Sequence, residues 1–272
     1  MTQTPLTDRA ALLRQRARAM RAPARFLHDV AADELQDRLS VVKKSFTAPA
    51  IITGFPEIWQ PRHPDAVMVA DDDTLGLSVG AHDLVIHALA LHWASDPVGQ
   101  LVQARRALVP DGLMLAVLFG GGSLSELRAT LAQAEADVTG GLAPRVLPMG
   151  EIRDLGSLLQ RAGFALPVAD RLPLDLRYPS ATALMRDLRA MGETNAMTAR
   201  PRGMMRRDVL ERACEIYARD FPHPEGGVRA TAEMIFLAGW APDESQQKPL
   251  RPGSAAARLA DALGTEETPL GD

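Results

Sequence analysis

The sequence predicts an α/β protein built on a mostly parallel sheet, and three stretches carry that expectation. Leu84 to Leu91 is an apolar run of strand length, with His87 within it, between His82-Asp83 and His92-Trp93, as a strand buried on both faces reads. Ser95-Asp96-Pro97 then offers an N-cap acceptor and a proline for the first helical position. Val98, Leu101, Val102, Arg105 and Leu108 follow at three- and four-residue steps, which marks a helix with one buried face. Pro110-Asp111-Gly112 turns the chain, and Leu113 to Phe119 is a second apolar strand. Strand, helix and strand in this order make a parallel crossover unit, and ligands of such sheets sit beyond the carboxyl ends of the strands. Those ends are His92-Trp93 and Gly120-Gly121-Gly122.

Composition narrows the function classes. A chain of 272 residues buries roughly three-quarters of its unfolded surface, enough for a large core. Hydrophobic content of 46% and charged content of 24% are ordinary for a globular protein, and no apolar run reaches the roughly 18 residues of a membrane span. A net charge of −4 argues against a general nucleic-acid binder. Cys214 is the single cysteine, which excludes intrachain disulfides and thiolate metal clusters and points to a reducing, cytoplasmic setting.

In chain order, residues 1–45 read as a helical arm. Over residues 1–25, six arginines (9, 14, 16, 18, 21 and 25) stand against the single acid Asp8. A solvated helix face is the first reading; contact with an acidic partner or a membrane surface is the other. Leu27, Ala31, Leu35, Leu39 and Val42 then form a stripe at helical spacing. Residues 46–242 read as the α/β domain. Its first strand is Ala50 to Thr53, ending at Gly54-Phe55-Pro56, and a second short strand, Ala66 to Ala70, ends at Asp71-Asp72-Asp73. Only 16 residues separate Gly54 from Asp71, and Pro56, Pro61 and Pro64 interrupt them, so at most one helical turn fits. A βαβ unit needs about 30 residues. The sheet is therefore expected to be truncated in its first half.

Downstream, Ser123 and Glu126 have the spacing of a capping box, Glu151 to Ala162 reads as a helix closed by Gly163, and Phe164 to Tyr178 as an extended stretch broken by Pro167 and Pro173. Residues 179–224 form a helical insertion crowded by Arg200, Arg202, Arg206 and Arg207, either a lid or partner surface over the strand ends or a solvated loop. Val228 to Pro242 reads as a long final strand, and 243–272 as a tail. His82, His87 and His92 lie five apart, but strand alternation spreads them over both faces, and no metal site is expected. His92-Trp93 at a strand exit either lines a pocket or packs. Asp71-Asp72-Asp73, taken alone, is a solvated acidic turn.

The motifs LALHW, RRALVPDGLMLAVLFGG, GGGSLSELR, DLGSLLQRAGF, MRDLRAMGETNA and ESQQKP together resemble the class I S-adenosylmethionine-dependent methyltransferases. The resemblance is narrowest to the branch holding the biotin-synthesis methyltransferases and the complex I assembly factor that hydroxylates arginine. It implies a Rossmann-like sheet, mostly parallel with an antiparallel last strand, and S-adenosylmethionine as cofactor. By position it implies Gly54 for the glycine-rich loop, Asp71 for the acid that meets the adenine amine, Asp72 as its neighbour, and His92 and Trp93 as pocket lining. This chain departs from the family at two points. Of a D-x-G-x-G-type loop only Gly54 remains, with Phe55-Pro56 where backbone approach is needed, and no residue matches the ribose-binding acid. The expectation is a binding or assembly protein whose cofactor loop has decayed, its partner a respiratory complex I subunit, with peripheral membrane contact left open. The alternative is an active S-adenosylmethionine-dependent methyltransferase on an unknown small molecule or protein, since methyl transfer needs little beyond proximity. Arginine hydroxylation is implied by the resemblance alone.

Overall fold

The computed structural model describes residues 5–247 and Gly264. Residues up to Pro242 make one unit and those from Asp243 onward another. The tail motif expected beyond Gln247 lies outside the described residues, apart from Gly264.

The first unit runs α1 (Arg9–Ala19), α2 (Phe26–Ser40), β1 (Pro49–Thr53), α3 (Pro56–Trp59), β2 (Val67–Val69), β3 (His82–Ala88), a 3-10 turn (Leu91–Trp93), α4 (Pro97–Ala107) and β4 (Leu108–Phe119). It continues with α5 (Ser125–Thr139), α6 (Ile152–Arg161), β5 (Ala165–Tyr178), α7 (Ala181–Ala190), α8 (Arg207–Asp220) and β6 (Val228–Trp240). The strands form one sheet in the order β2-β1-β3-β4-β6-β5. The first four are parallel, and β6 runs antiparallel between β4 and β5. Side chains alternate across it. Ile51, Ile86 and Leu115 face α2 and α3, while Ala50, Val85 and Met114 face α4 and α6.

The expected truncation is a missing strand. Among the described residues nothing stands between β1 and β2: Ile51 pairs directly with Met68, and the crossover of residues 54–66 contains only the one-turn helix α3. Trp59, at the end of that turn, is fully buried and donates its indole N–H to His28 Nδ1 on α2 at 3.3 Å. One large side chain thus packs the short crossover against α2. Burial holds His28 neutral, pushing its pKa down to about 4, as an acceptor for the indole requires.

Four local expectations need correction. β3 ends at Ala88 rather than Leu91, because Leu89 takes a left-handed backbone (φ 48) and donates its N–H to Val117 O, steering the chain into the 3-10 turn. β4 begins earlier than Leu113, at Leu108, and carries the Pro110-Asp111-Gly112 turn as an irregularity in its register with β3. The capping box does not form: α5 starts at Ser125 after Leu124 (φ 54), the Ser123 hydroxyl donates to Glu233 O, and Glu126 accepts from Thr231. Pro167 and Pro173 do not break β5, which is an edge strand. Among the described residues its only partner is β6, and Pro167 falls where the register shifts between Ala165 and Val168. Among the described residues no helix is long and apolar enough to cross a membrane, and no His, Cys, Asp and Glu group is arranged to hold a metal.

Candidate functional site at the strand ends

The carboxyl ends of β1, β2, β3 and β4 converge where the sequence placed a site, and α1 lies there too. Asp8 caps α1, accepting from Ala11 N–H at 3.0 Å, and also receives Arg200 at 2.9 Å and Arg202 at 2.7 Å from the insertion. Two arginines of the insertion thus anchor the helix, Arg200 from a mostly buried position and Arg202 from an exposed one. Thr7 donates to Trp93 O at 2.7 Å, and Gln15 Nε2 to Asn195 O at 3.0 Å, so both ends of α1 are tied down.

The consequence is at Arg16. The arm was expected to present its arginines to solvent, but Arg16 is only 3% exposed. Its Nη1 donates to both oxygens of Asp71, at 2.8 and 2.9 Å, and its guanidinium lies over the Phe55 ring at 5.5 Å. A Cβ added at Gly54 would run into that guanidinium, so the open face of the glycine is filled by a side chain of the same protein. Arg9 adds a second cation, bridging Asp71 and Asp72 at 2.8 Å each. Burial alone would raise the pKa of Asp71, but the two arginines overcome it and hold the carboxyl well below the usual range. Gln100 on α4 fixes the backbone of the same turn, donating to Asp71 O and Asp72 O at 3.3 and 3.0 Å while its Oε1 meets His87 Nε2 at 2.8 Å. His87 is completely buried, and that burial pushes its pKa to about 4, so it is a neutral structural residue.

His92 and Trp93 meet a residue the sequence reading missed. Glu193, just after α7, accepts from Trp93 Nε1 at 2.8 Å and lies 3.1 Å from His92 Nε2 through the same oxygen. Its other oxygen is buried without a partner. Burial raises its pKa, but the charges of His92 and Arg16 more than offset that and keep it below its ordinary value. Nothing local in the sequence marks Glu193 or Arg16; their partners lie 101 and 55 residues away. The five sequence-selected residues thus form two sets, Gly54 with Asp71 and Asp72 around Arg16 and Arg9, and His92 with Trp93 around Glu193. A cleft of about 300 Å³ lined by Thr7, Arg9, Asp71 and Trp93 joins them. The glycine run after β4 is also spoken for, since Gly122 N–H donates to Glu233 Oε2 at 2.9 Å and the chain's own carboxylate takes the amide an anion would use.

No protein-family model matches the chain. It is 37% identical over 198 residues to the mitochondrial arginine-hydroxylase NDUFAF5 of Danio rerio, covering 73% of this chain and 61% of that protein. With the Homo sapiens protein of the same name it shares 36% over 192 residues, covering 71% of this chain and 55% of the other. With the malonyl-[acyl-carrier protein] O-methyltransferase of Laribacter hongkongensis it shares 36% over 188 residues, 69% of this chain and 61% of the other. The match therefore spans about three-fifths of the length of these relatives. Among solved structures, one described as a putative methyltransferase from Bacillus halodurans superposes with a TM-score of 0.48 at 13% identity, over 78% of this chain and 99% of that one.

Proposed function

We infer function from the premise that this chain is a homologue of the NDUFAF5 arginine hydroxylases and of the malonyl-[acyl-carrier protein] O-methyltransferases, on a methyltransferase-type sheet. The proposed role is binding and assembly: a partner-binding member of that family, acting on a respiratory complex I subunit in a reducing compartment, without methyl transfer of its own. One observation carries it, the buried Arg16–Asp71 ion pair against Gly54. S-Adenosylmethionine would need three things from this sheet end: an uncovered glycine for backbone approach, an acid for the ribose and a free acid for the adenine amine. Arg16 covers Gly54 and engages Asp71, and among the described residues no further strand stands beside β1 and β2 to carry the ribose acid. The residues present do not fit the cofactor, and no catalytic step is derived through it.

Isothermal titration of the purified chain with S-adenosylmethionine and S-adenosylhomocysteine tests the reading. The expected result is no saturable heat at millimolar ligand. Binding tighter than about 100 μM, which corresponds to about 5 to 6 kcal/mol, would contradict it. Cross-linking in an extract, with recovery of complex I subunits, is the matching positive result. A second reading, an active methyltransferase with α1 as a movable cover, draws on one feature: Arg16 Nε and Nη2 are buried without hydrogen bonds, which lowers the cost of withdrawing the side chain. The same titration decides between them.

A further inference from the structure

A cavity of about 520 Å³ lies beside the strand ends, distinct from the Arg16–Asp71 cluster. Its walls are leucine and methionine from four elements, among them Leu127 and Leu131 on α5, Leu176 on β5, and Leu184, Met185 and Leu188 on α7. Unbranched methionine among the leucines makes a conformable apolar wall suited to a flexible chain.

The charges on this lining are uneven. Arg145 is held by Glu135, and Arg200 by Asp8. Arg18 on α1 and Arg189 on α7 have no carboxylate partner among the described residues, whereas the other two arginines of the lining, Arg145 and Arg200, are both paired. They come from different helices and sit within repulsive range of each other. Burial and then the nearby charges of Arg189 and Arg21 push the Arg18 pKa down. Two cations brought together without an anion lack the partner that would stabilise them. The one acid on the lining, Glu193, is engaged by His92 and Trp93.

We propose that this cavity binds a single-chain anionic amphiphile, its acyl chain along the leucine and methionine walls and its carboxylate or phosphate head between Arg18 and Arg189. The apolar chain is satisfied by burial, at about 25 cal/mol per Å² of surface removed from water. The head supplies the charge that the two guanidinium groups lack, in the paired geometry arginine offers to carboxylate and phosphate.

A dansyl-labelled undecanoate displaced from the full chain by four twelve-carbon competitors tests this: laurate, dodecyl phosphate, dodecanol and dodecyltrimethylammonium. Laurate or dodecyl phosphate is expected to compete at least about tenfold better than dodecanol, and whichever of the two binds more tightly identifies the head group. The variant R18Q/R189Q changes only exposed side chains, and it is expected to lose about tenfold for the anionic competitors while leaving dodecanol unchanged. Met185→Trp is expected to weaken all of them by filling the cavity. Equal affinity for dodecanol and laurate, preference for the ammonium compound, or full anion binding by R18Q/R189Q overturns the proposal. Absence of dye binding to the wild-type chain does so as well.

Discussion

Arg16 and Asp71 are worth more to each other than either is to the fold alone. A buried carboxylate that loses its guanidinium is left as an uncompensated charge at a cost of about 3 to 5 kcal/mol, whereas replacing both partners with apolar side chains is often close to neutral. Arg16→Met and Asp71→Asn are each expected to lower the unfolding free energy by about 3 kcal/mol, with Arg9, which still pairs with Asp71, softening the Met variant. The double variant R16M/D71L should lose much less than the sum of the single changes. Urea unfolding in a double-mutant cycle measures the difference, and additive losses would mean the pair is not a unit. pH reads the same region through its histidines. His28 and His87 have their folded pKa lowered from 6.5 to about 4 by burial, so between those values the unfolded chain binds more protons, and stability must rise with pH across that window. Each accounts for about 3 kcal/mol at most. Asp71 acts lower on the scale. Its depressed pKa contributes stability above the unfolded value of about 3.9 that is lost on further acidification. His87→Gln should flatten the slope between pH 4 and 6.5 by about half without changing the transition below pH 4, as read by thermal unfolding across pH.

At the scale of elements, α1 explains both what the sequence disclosed and what it withheld. β3, α4, β4 and β6 were readable because each is dictated by its own residues: continuous apolar runs, a proline at a helix start, a turn triplet. The short crossover was readable for the same reason, since counting residues bounds what can be built. α1 has alternating arginine and alanine with little amphipathic pattern, and its buried face is chosen by distant partners: Asp71, Asn195, Trp93 and the arginines of the insertion. A local rule cannot see that. Ser123 and Glu126 failed for the complementary reason, as the pattern was present but β6 claimed both side chains. Because Asp8 serves at once as N-cap and as anchor for Arg200 and Arg202, Asp8→Ala is expected to cost about 1 to 2 kcal/mol. The loss should show chiefly as faster amide exchange in α1 and around Met197, with β3 and β4 unchanged. Uniformly faster exchange would indicate that α1 is part of the global core rather than a strap on it.

For the molecule as a whole, the short β1–β2 crossover and the ion pair at the strand ends are linked. With the sheet contracted so that β2 pairs with β1, Asp71 is brought to the end of β1's immediate neighbour, where Arg16 can reach it above Gly54. Had only the glycine loop changed, clearing the guanidinium would restore a cofactor cleft; with a wall of the sheet gone, it should not. R16M/D71L, which keeps the packing and removes both charges, therefore separates a blocked site from an absent one. We expect it to remain folded by circular dichroism and to bind S-adenosylhomocysteine no better than the wild-type chain. If this variant instead gained affinity of about 100 μM or tighter, equivalent to about 5 to 6 kcal/mol, the contracted sheet would still hold a usable nucleoside pocket. Helix α1 would then be a cover over that pocket, not a replacement for its ligand.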